Sequence, residues 1–365
     1  MAKPPRFRFM AIEAAPVQRF PLAPDYEISR ILRGGWQLAG GHGQVRTDDA
    51  LADMVAFADA GITTFDCADI YTGVEELIGQ FRLRYNDLRG KKALDRIRVH
   101  TKFVPDLHIL PRIGKSDVES VIDQSLRRLR TDRLDLVQFH WWDYAVPRWQ
   151  ETAHWLAELR QAGKIRNLGG TNFDTEHMLA IVTSGVPLVS MQVQYSLLDR
   201  RPAKMMVPAA AGHGISLLCY GTVAGGFLSD KWLGAAEPGE PVGNRSLTKY
   251  KLIIEEFGGW ELFQTLLRAL REVADRHRSD IATVASAAVL NRTGVAGVIV
   301  GARSRSHLQS NLAISDLRLT AEDHARIDTI LALARPLQGD VYALERDRTG
   351  RHGSIMKYNL NKGAA

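Results

Sequence analysis

Four ionisable side chains, Asp66, Tyr71, Lys102 and His140, stand at or just past the ends of three short β-rich runs. Taken singly, each has an ordinary structural explanation: a rim aspartate caps a helix, a tyrosine or histidine packs, a lysine is solvated. Together they make a proton-donating device. A phenol, with a pKa of about 10 in isolation, is a poor acid at neutral pH, and a nearby ammonium stabilises the phenolate and lowers that value. Lys102 is the source of that charge. A buried lysine tends to lose its proton unless a carboxylate holds it charged, and Asp66 on the adjacent run is the candidate. His140 would orient a substrate oxygen or share the proton through a hydrogen bond.

For these groups to meet, their runs must lie side by side. Eight β-rich runs, at 30–38, 63–69, 97–103, 134–141, 165–172, 188–196, 215–221 and 296–303, alternate with helical patterns. That alternation predicts βα units and a parallel sheet. Thr47 with Asp48 and Asp49 opens one helical pattern that Gly61 stops; Ser116 to Glu119 reads as a capping box before another; residues 150–163 repeat the pattern. Eight such units close into a (β/α)8 barrel or open into a doubly wound sheet. The open sheet expects G-x-G-x-x-G at its first turn, and "GGWQLAGGHG" does not have that spacing. The barrel is therefore expected, with its site at the C-terminal ends of the strands.

Composition narrows the chemistry. The chain has 365 residues, 45% hydrophobic and 24% charged, and no run of roughly 18 apolar residues for a membrane span. Its two cysteines, Cys67 and Cys219, supply neither a disulfide framework nor a four-thiolate zinc site. A net charge of +6 is spread over scattered arginines, which reads as a solvated surface and not as a nucleic-acid face. Glu13 interrupts the apolar part of the N-terminus, so no secretory signal is expected and the cytoplasm is the default compartment. A metal-dependent barrel would want paired histidines on one strand; His100 and Lys102 are not such a pair.

At these residues the chain resembles the aldo-keto reductase family, in its longer bacterial form. The family's Asp, then Tyr five residues on, then a helix start with Glu is similar to Asp66, Tyr71 and Glu75-Glu76 in "FDCADIYTGVEELIG"; its strand-three lysine and strand-four histidine are similar to Lys102 and His140. The likeness continues through "GKIRNLGGTNF", "MQVQYSLLDRR", "CYGTVAGGFLS" and "VIVGARSRSHLQSNL". It implies NADPH/NADP+ as cofactor and reversible reduction of a small aldehyde or ketone, with Tyr71 as general acid assisted by Lys102, Asp66 and His140. Thr171, Asn172 and Gln192 would hold the nicotinamide carboxamide and Tyr220 would stack on its ring. Gly221, Thr222, Val223 and Gly225 would wrap the pyrophosphate. Gly301, Arg303, His307 and Asn311 would hold the adenosine 2′-phosphate. Gly35, Trp36 and Asp66 complete the implied cofactor contacts. The chain departs from the family pattern at Thr72, at Gly221-Thr222 and at Val300, where glycine, Ser-Pro and proline are usual.

Trp36, Trp141, Trp142 and Tyr144 either wall a substrate pocket with Tyr71 and His140 or pack in the core. The expected organisation is an N-terminal extension (1–28), a barrel (29–335) and a tail (336–365) packing on it. The stretch 222–260 is too long for an ordinary connection and reads as a covering loop or a disordered insertion. One other reading has the same fold: an NADP-binding regulatory subunit acting through a protein partner, as the potassium-channel β subunits do.

Overall fold

A two-residue alternation in the strands sorts their side chains between two layers. The computed structural model describes residues 17–39, 46–239, 242–243, 245–302 and 304–361. Strands β1 (Arg19–Ala23) and β2 (Tyr26–Ser29) form an antiparallel hairpin. Strands β3 (Ile31–Gly34), β4 (Thr64–Asp66), β5 (Arg98–Phe103), β6 (Leu134–Phe139), β7 (Ile165–Thr171), β8 (Leu188–Gln194), β9 (Ser216–Tyr220) and β10 (Val295–Gly301) close a parallel barrel, β10 pairing with both β9 and β3. Helices lie between consecutive strands, so the fold is a (β/α)8 barrel.

One alternate set of strand residues, including Phe65, Val99, Phe103, Val137, Phe139, Met191 and Val193, packs outward against the helices. The other set fills the barrel. At its N-terminal end Leu32, Leu136, Leu218 and Ala296 meet Leu22, Tyr26 and Ile28 of the hairpin, which plugs that end. This hairpin lies almost wholly within the stretch 1–28 expected to be an N-terminal extension. Further along, the Tyr26 hydroxyl lies 3.1 Å from His100 Nε2, and beyond that the interior becomes polar.

Several elements end sooner than the sequence suggests. The first barrel strand stops at Gly34 and the chain turns into a 3₁₀ helix over Trp36–Leu38. The second stops at Asp66. Three residues on, the Asp69 carboxylate accepts from the N–H groups of Ile70 and Val104 and stitches the turning chain to the end of β5. The helix expected to open at Thr47 begins on Thr47 itself, and in place of the box expected over Ser116 to Glu119 the Asp117 carboxylate accepts from the Gly114 N–H at 2.8 Å, with no side chain on Gly114 to return a bond.

The long connection 222–260 carries a helix of its own. After 3₁₀ turns at Ala224–Gly226 and Asp230–Trp232 it forms a helix, Arg245–Phe257. Tyr250, Ile253, Ile254 and Phe257 recur at three and four and are buried with Phe227, Leu228, Phe263 and Leu266 in a second apolar cluster. Residues 337–361 cross the C-terminal ends of the strands. They are fastened by the N–H groups of Leu360 and Asn361 to Asp106, by the Leu107 N–H to the Tyr358 carbonyl, and by Arg346. Among the described residues no helix is long and apolar enough to cross a membrane.

Candidate active site

Register places Asp66, Lys102, Gln138 and Gln192 on neighbouring interior positions of β4, β5, β6 and β8. Lys102 Nζ donates to Asp66 at 2.8 Å and to the Cys67 carbonyl at 2.7 Å. Asp66 also accepts from Gln138 Nε2 at 3.1 Å and Gln192 Nε2 at 2.7 Å. Burial disfavours the ammonium, but Asp66, with Tyr71 beside it, outweighs that cost and holds Lys102 charged above its ordinary range. The carboxylate is fixed by three donors and the lysine by two acceptors, so both have a single arrangement.

Tyr71 lies in the turn after β4, its ring centroid 5.0 Å from Lys102 Nζ and 5.0 Å from that of Trp36, which meets it edge-on. The expected net lowering of the phenol's pKa is not what this site produces. Burial is the larger effect and raises it; the charge and hydrogen bond of Lys102 offset part of that. Tyr71 is thus a neutral phenol beside a permanent ammonium, protonated at rest and stabilised once ionised.

His140 follows β6 and is 2% exposed. Its Nδ1 is 3.0 Å from the Thr171 carbonyl at the end of β7, so Nδ1 carries the hydrogen. Burial, then the Arg346 charge, pushes its pKa down to about 3, which leaves the imidazole neutral. Nε2 is buried with no partner among the described residues. The ring stands edge-on to Trp142 at 4.3 Å and to Tyr342 at 5.7 Å. Trp141 is not a wall of this pocket: it shares the outward parity of Phe139, is fully buried against it, and spends its indole N–H on the carbonyls of Asp143 and Val146. Tyr144 also faces away, stacked on His177.

The other candidate residues fall into three groups. Around the strand ends, the Tyr220 hydroxyl donates to Asn172 Oδ1 at 2.9 Å, Asn172 has a left-handed backbone (φ 59°), and Gln192 directs its amide nitrogen at Asp66 and Gln138. Gly35 approaches β4 so closely that a Cβ would stand 2.8 Å from the Asp66 carbonyl, to which its own N–H donates, so it has a packing reason to be glycine. In the second group, Gly221 and Gly225 carry positive φ angles and the Tyr250 ring fills the space where their side chains would be; Thr222 pairs with Ser286, and Val223 packs on the second cluster. In the third, Gly301 ends β10, His307 is exposed in a 3₁₀ turn, and Asn311 is buried with its Nδ2 unpartnered among the described residues. Arg303 lies outside the described residues.

Sequence reasoning missed Gln138, which has interior parity with His140 two residues on and could have been found by counting along β6. It also missed what the covering helix and tail bring. Lys249 pairs with Glu345 at 2.7 Å and sits 5.6 to 5.8 Å from the ring centroids of Tyr220, Tyr250 and Tyr342. Arg346 donates to the carbonyls of Trp141, Trp142 and Asn172. No local spacing announces these contacts, because they join segments far apart in the chain.

The profile of the Aldo/keto reductase family matches residues 30–332. The chain is 29% identical over 313 residues to "Aldo-keto reductase YhdN" of Bacillus subtilis, covering 84% of this chain and 90% of that one. It is 24% identical over 330 residues to "NADH-specific methylglyoxal reductase" of Escherichia coli, covering 84% and 96%. Among solved structures it resembles that of the glycerol dehydrogenase AKR11B4 from Gluconobacter oxydans, with a TM-score of 0.72, 26% identity, and coverage of 88% of this chain and 97% of that one.

Proposed function

The chain belongs to the aldo/keto reductase family, a family of nicotinamide-dependent oxidoreductases, and from that premise we propose that it reduces an aldehyde or ketone with NADPH, reversibly. The observation that carries this reading is the buried Lys102–Asp66 pair beside a neutral Tyr71. Two further observations support the fit of a substrate and a nicotinamide dinucleotide: His140 Nε2, at the strand ends where the reacting oxygen would lie, and Asn311 Nδ2, in the helix after β10, are buried polar atoms that lack partners among the described residues.

A nicotinamide bound across the strand ends would supply hydride to the carbonyl carbon. The protein's part is to manage charge on the oxygen. Tyr71 donates its proton as negative charge develops there, which combines general acid catalysis with oxyanion stabilisation. Lys102 stabilises the resulting phenolate through space, and Asp66 keeps Lys102 charged and in place. Gln138 and Gln192 hold Asp66. Trp36 and Trp142 border Tyr71 and His140 and narrow the opening to the reacting oxygen.

Arg303 is the proposed reader of the 2′-phosphate, through a charge-assisted contact that NADH does not offer. Turnover tests both parts. NADPH oxidation across a panel of aldehydes, ketones and quinones should reveal a reducible carbonyl; nucleotide binding with no turnover on the whole panel would refute the enzyme. Arg303→Ala should raise the KM for NADPH and leave that for NADH near its starting value, whereas equal losses, or a wild-type preference for NADH like that named for the Escherichia coli relative, would refute the cofactor assignment.

A further inference from the structure

Arg346 lies in the tail, beyond residue 332 where the family match ends. Its guanidinium donates through one terminal nitrogen to the carbonyls of Trp141 at 2.6 Å and Trp142 at 2.8 Å, and through the other to the carbonyl of Asn172 at 2.8 Å. Its plane lies over the Tyr144 ring, with Cζ 3.7 Å from the centroid. These three carbonyls have just left β6 and β7 and lost their ladder partners, so a planar fork of donors is what they require. Trp141 and Trp142 directly follow His140, and Asn172 directly follows Thr171. The imidazole and the guanidinium therefore bridge the same two strand ends, the imidazole by donating its Nδ1–H to the Thr171 carbonyl and the guanidinium by donating to the three carbonyls that follow His140 and Thr171.

The charge has a second consequence. The titratable and charged groups at this end of the barrel include Asp66, Tyr71 and Lys102 from β4, its following turn and β5, Asp143, Tyr144, Asp174 and His177 from the segments after β6 and β7, Tyr220 from β9, Lys249 from the covering helix, and Asp340, Tyr342, Glu345, Arg348 and Tyr358 from the tail. Asp66 with Lys102 and Glu345 with Lys249 are paired, and Tyr71 and Tyr342 are held protonated by burial. Arg346 makes no ion pair with a carboxylate among the described residues, and its charge adds to burial in keeping His140 neutral. A neutral imidazole whose Nδ1–H is spent on Thr171 presents a bare lone pair at Nε2. A ketone oxygen has no hydrogen to offer that lone pair; a hydroxyl has.

We propose that Arg346 is a positioning residue of this site: it clamps the strand ends from which His140 and Asn172 project, and it keeps His140 an acceptor whose Nε2 binds the hydroxyl form of the substrate. The clamp stands on geometry alone; the substrate clause rests on the proposed reductase function.

The experiment is imidazole nitrogen NMR on the full chain labelled with 15N-histidine, His140 being assigned by the signal lost in His140→Gln, combined with kcat/KM against pH. The wild-type protein should show His140 as the neutral Nδ1–H tautomer from about pH 5 to 8. In Arg346→Met burial still disfavours the imidazolium, so the ring should stay neutral but no longer hold a single tautomer, its two nitrogen signals moving toward each other, and kcat/KM should fall by about tenfold or more. Arg346→Lys should keep the imidazole neutral yet lower kcat/KM on the order of tenfold, because one ammonium cannot reproduce the fork and the stack. A wild-type Nε2–H tautomer, or an Arg346→Met protein with unchanged tautomer and kinetics, overturns the proposal, and the first measurement needs no variant to fold. If the wild-type protein turns over no carbonyl, the substrate clause falls with the functional reading, while the tautomer compared between the wild-type protein and Arg346→Met still decides the clamp.

Discussion

The Lys102 ammonium and the Asp66 carboxylate meet at 2.8 Å inside the barrel, with side chains 6% and 5% exposed. Neither charge has water to fall back on, so removing one strands the other. Asp66→Asn should destabilise the protein by about 3–5 kcal/mol, the usual consequence of breaking a buried pair, and Lys102→Met should do much the same. The Asp66→Asn/Lys102→Met double variant should regain much of that stability while turnover stays lost. Urea unfolding with steady-state kinetics separates the two readouts; a double variant that loses the sum of both singles would show that the pair is not coupled.

Tyr71→Phe removes one oxygen and keeps the ring that Trp36 meets edge-on. As the proposed proton donor, its loss should lower kcat by about 10²–10⁴-fold. Nucleotide affinity, followed by quenching of tryptophan fluorescence, should stay near the wild-type value. A variant with a near-normal rate would assign the proton to another group.

The barrel was legible in the sequence because its strands alternate with period two and its helices with period 3.6, and both patterns are local. Asp66, Lys102 and His140 could be placed at strand ends for the same reason, and Gln138 follows from His140 by parity. What was not legible depends on segments remote in sequence. Tyr26 reaches His100 only because the hairpin folds under the barrel, and Lys249 finds Glu345 only because the covering helix and the tail converge. The balance at Tyr71 was also out of reach, since spacing gives the neighbour that lowers a pKa but not the depth of burial that raises it.

Asp69 gives the protein a pH response near neutrality. Burial, opposed by the hydrogen bonds from Val104 and Ile70, lifts its pKa from 3.8 to about 7. The folded state thus binds the Asp69 proton more tightly than the unfolded chain does. The stability this confers is present in full below the unfolded pKa and is lost as pH rises from about 4 through 7, after which it stays flat. Unfolding free energies from urea titrations at about pH 5 and pH 8 should show the lower value at pH 8 once compared with Asp69→Asn, in which that part of the slope disappears. An unchanged slope in Asp69→Asn would place the titration elsewhere.

The Lys249–Glu345 pair ties the covering helix to the tail beside Tyr220, the residue proposed to stack on the nicotinamide. Burial works against the lysine's charge, yet Glu345 and the surrounding phenols hold it protonated, and Glu345 is held ionised in return despite its own burial. Lys249→Met leaves a buried carboxylate without its cation and removes the charge that sits over Tyr220, Tyr250 and Tyr342. Stability should fall on the order of 3 kcal/mol. The consequence for function is kinetic. With the latch broken, helix 245–257 and the tail separate more readily, and Tyr250, which fills the space beside Gly221 and Gly225, opens with them. Nucleotide should then leave faster in stopped-flow displacement. A Lys249→Met/Glu345→Leu double-mutant cycle tests whether the pair is responsible. Coupling of about 0.5–3 kcal/mol between the two sites is expected, and additive effects would mean that the helix and the tail hold their places independently.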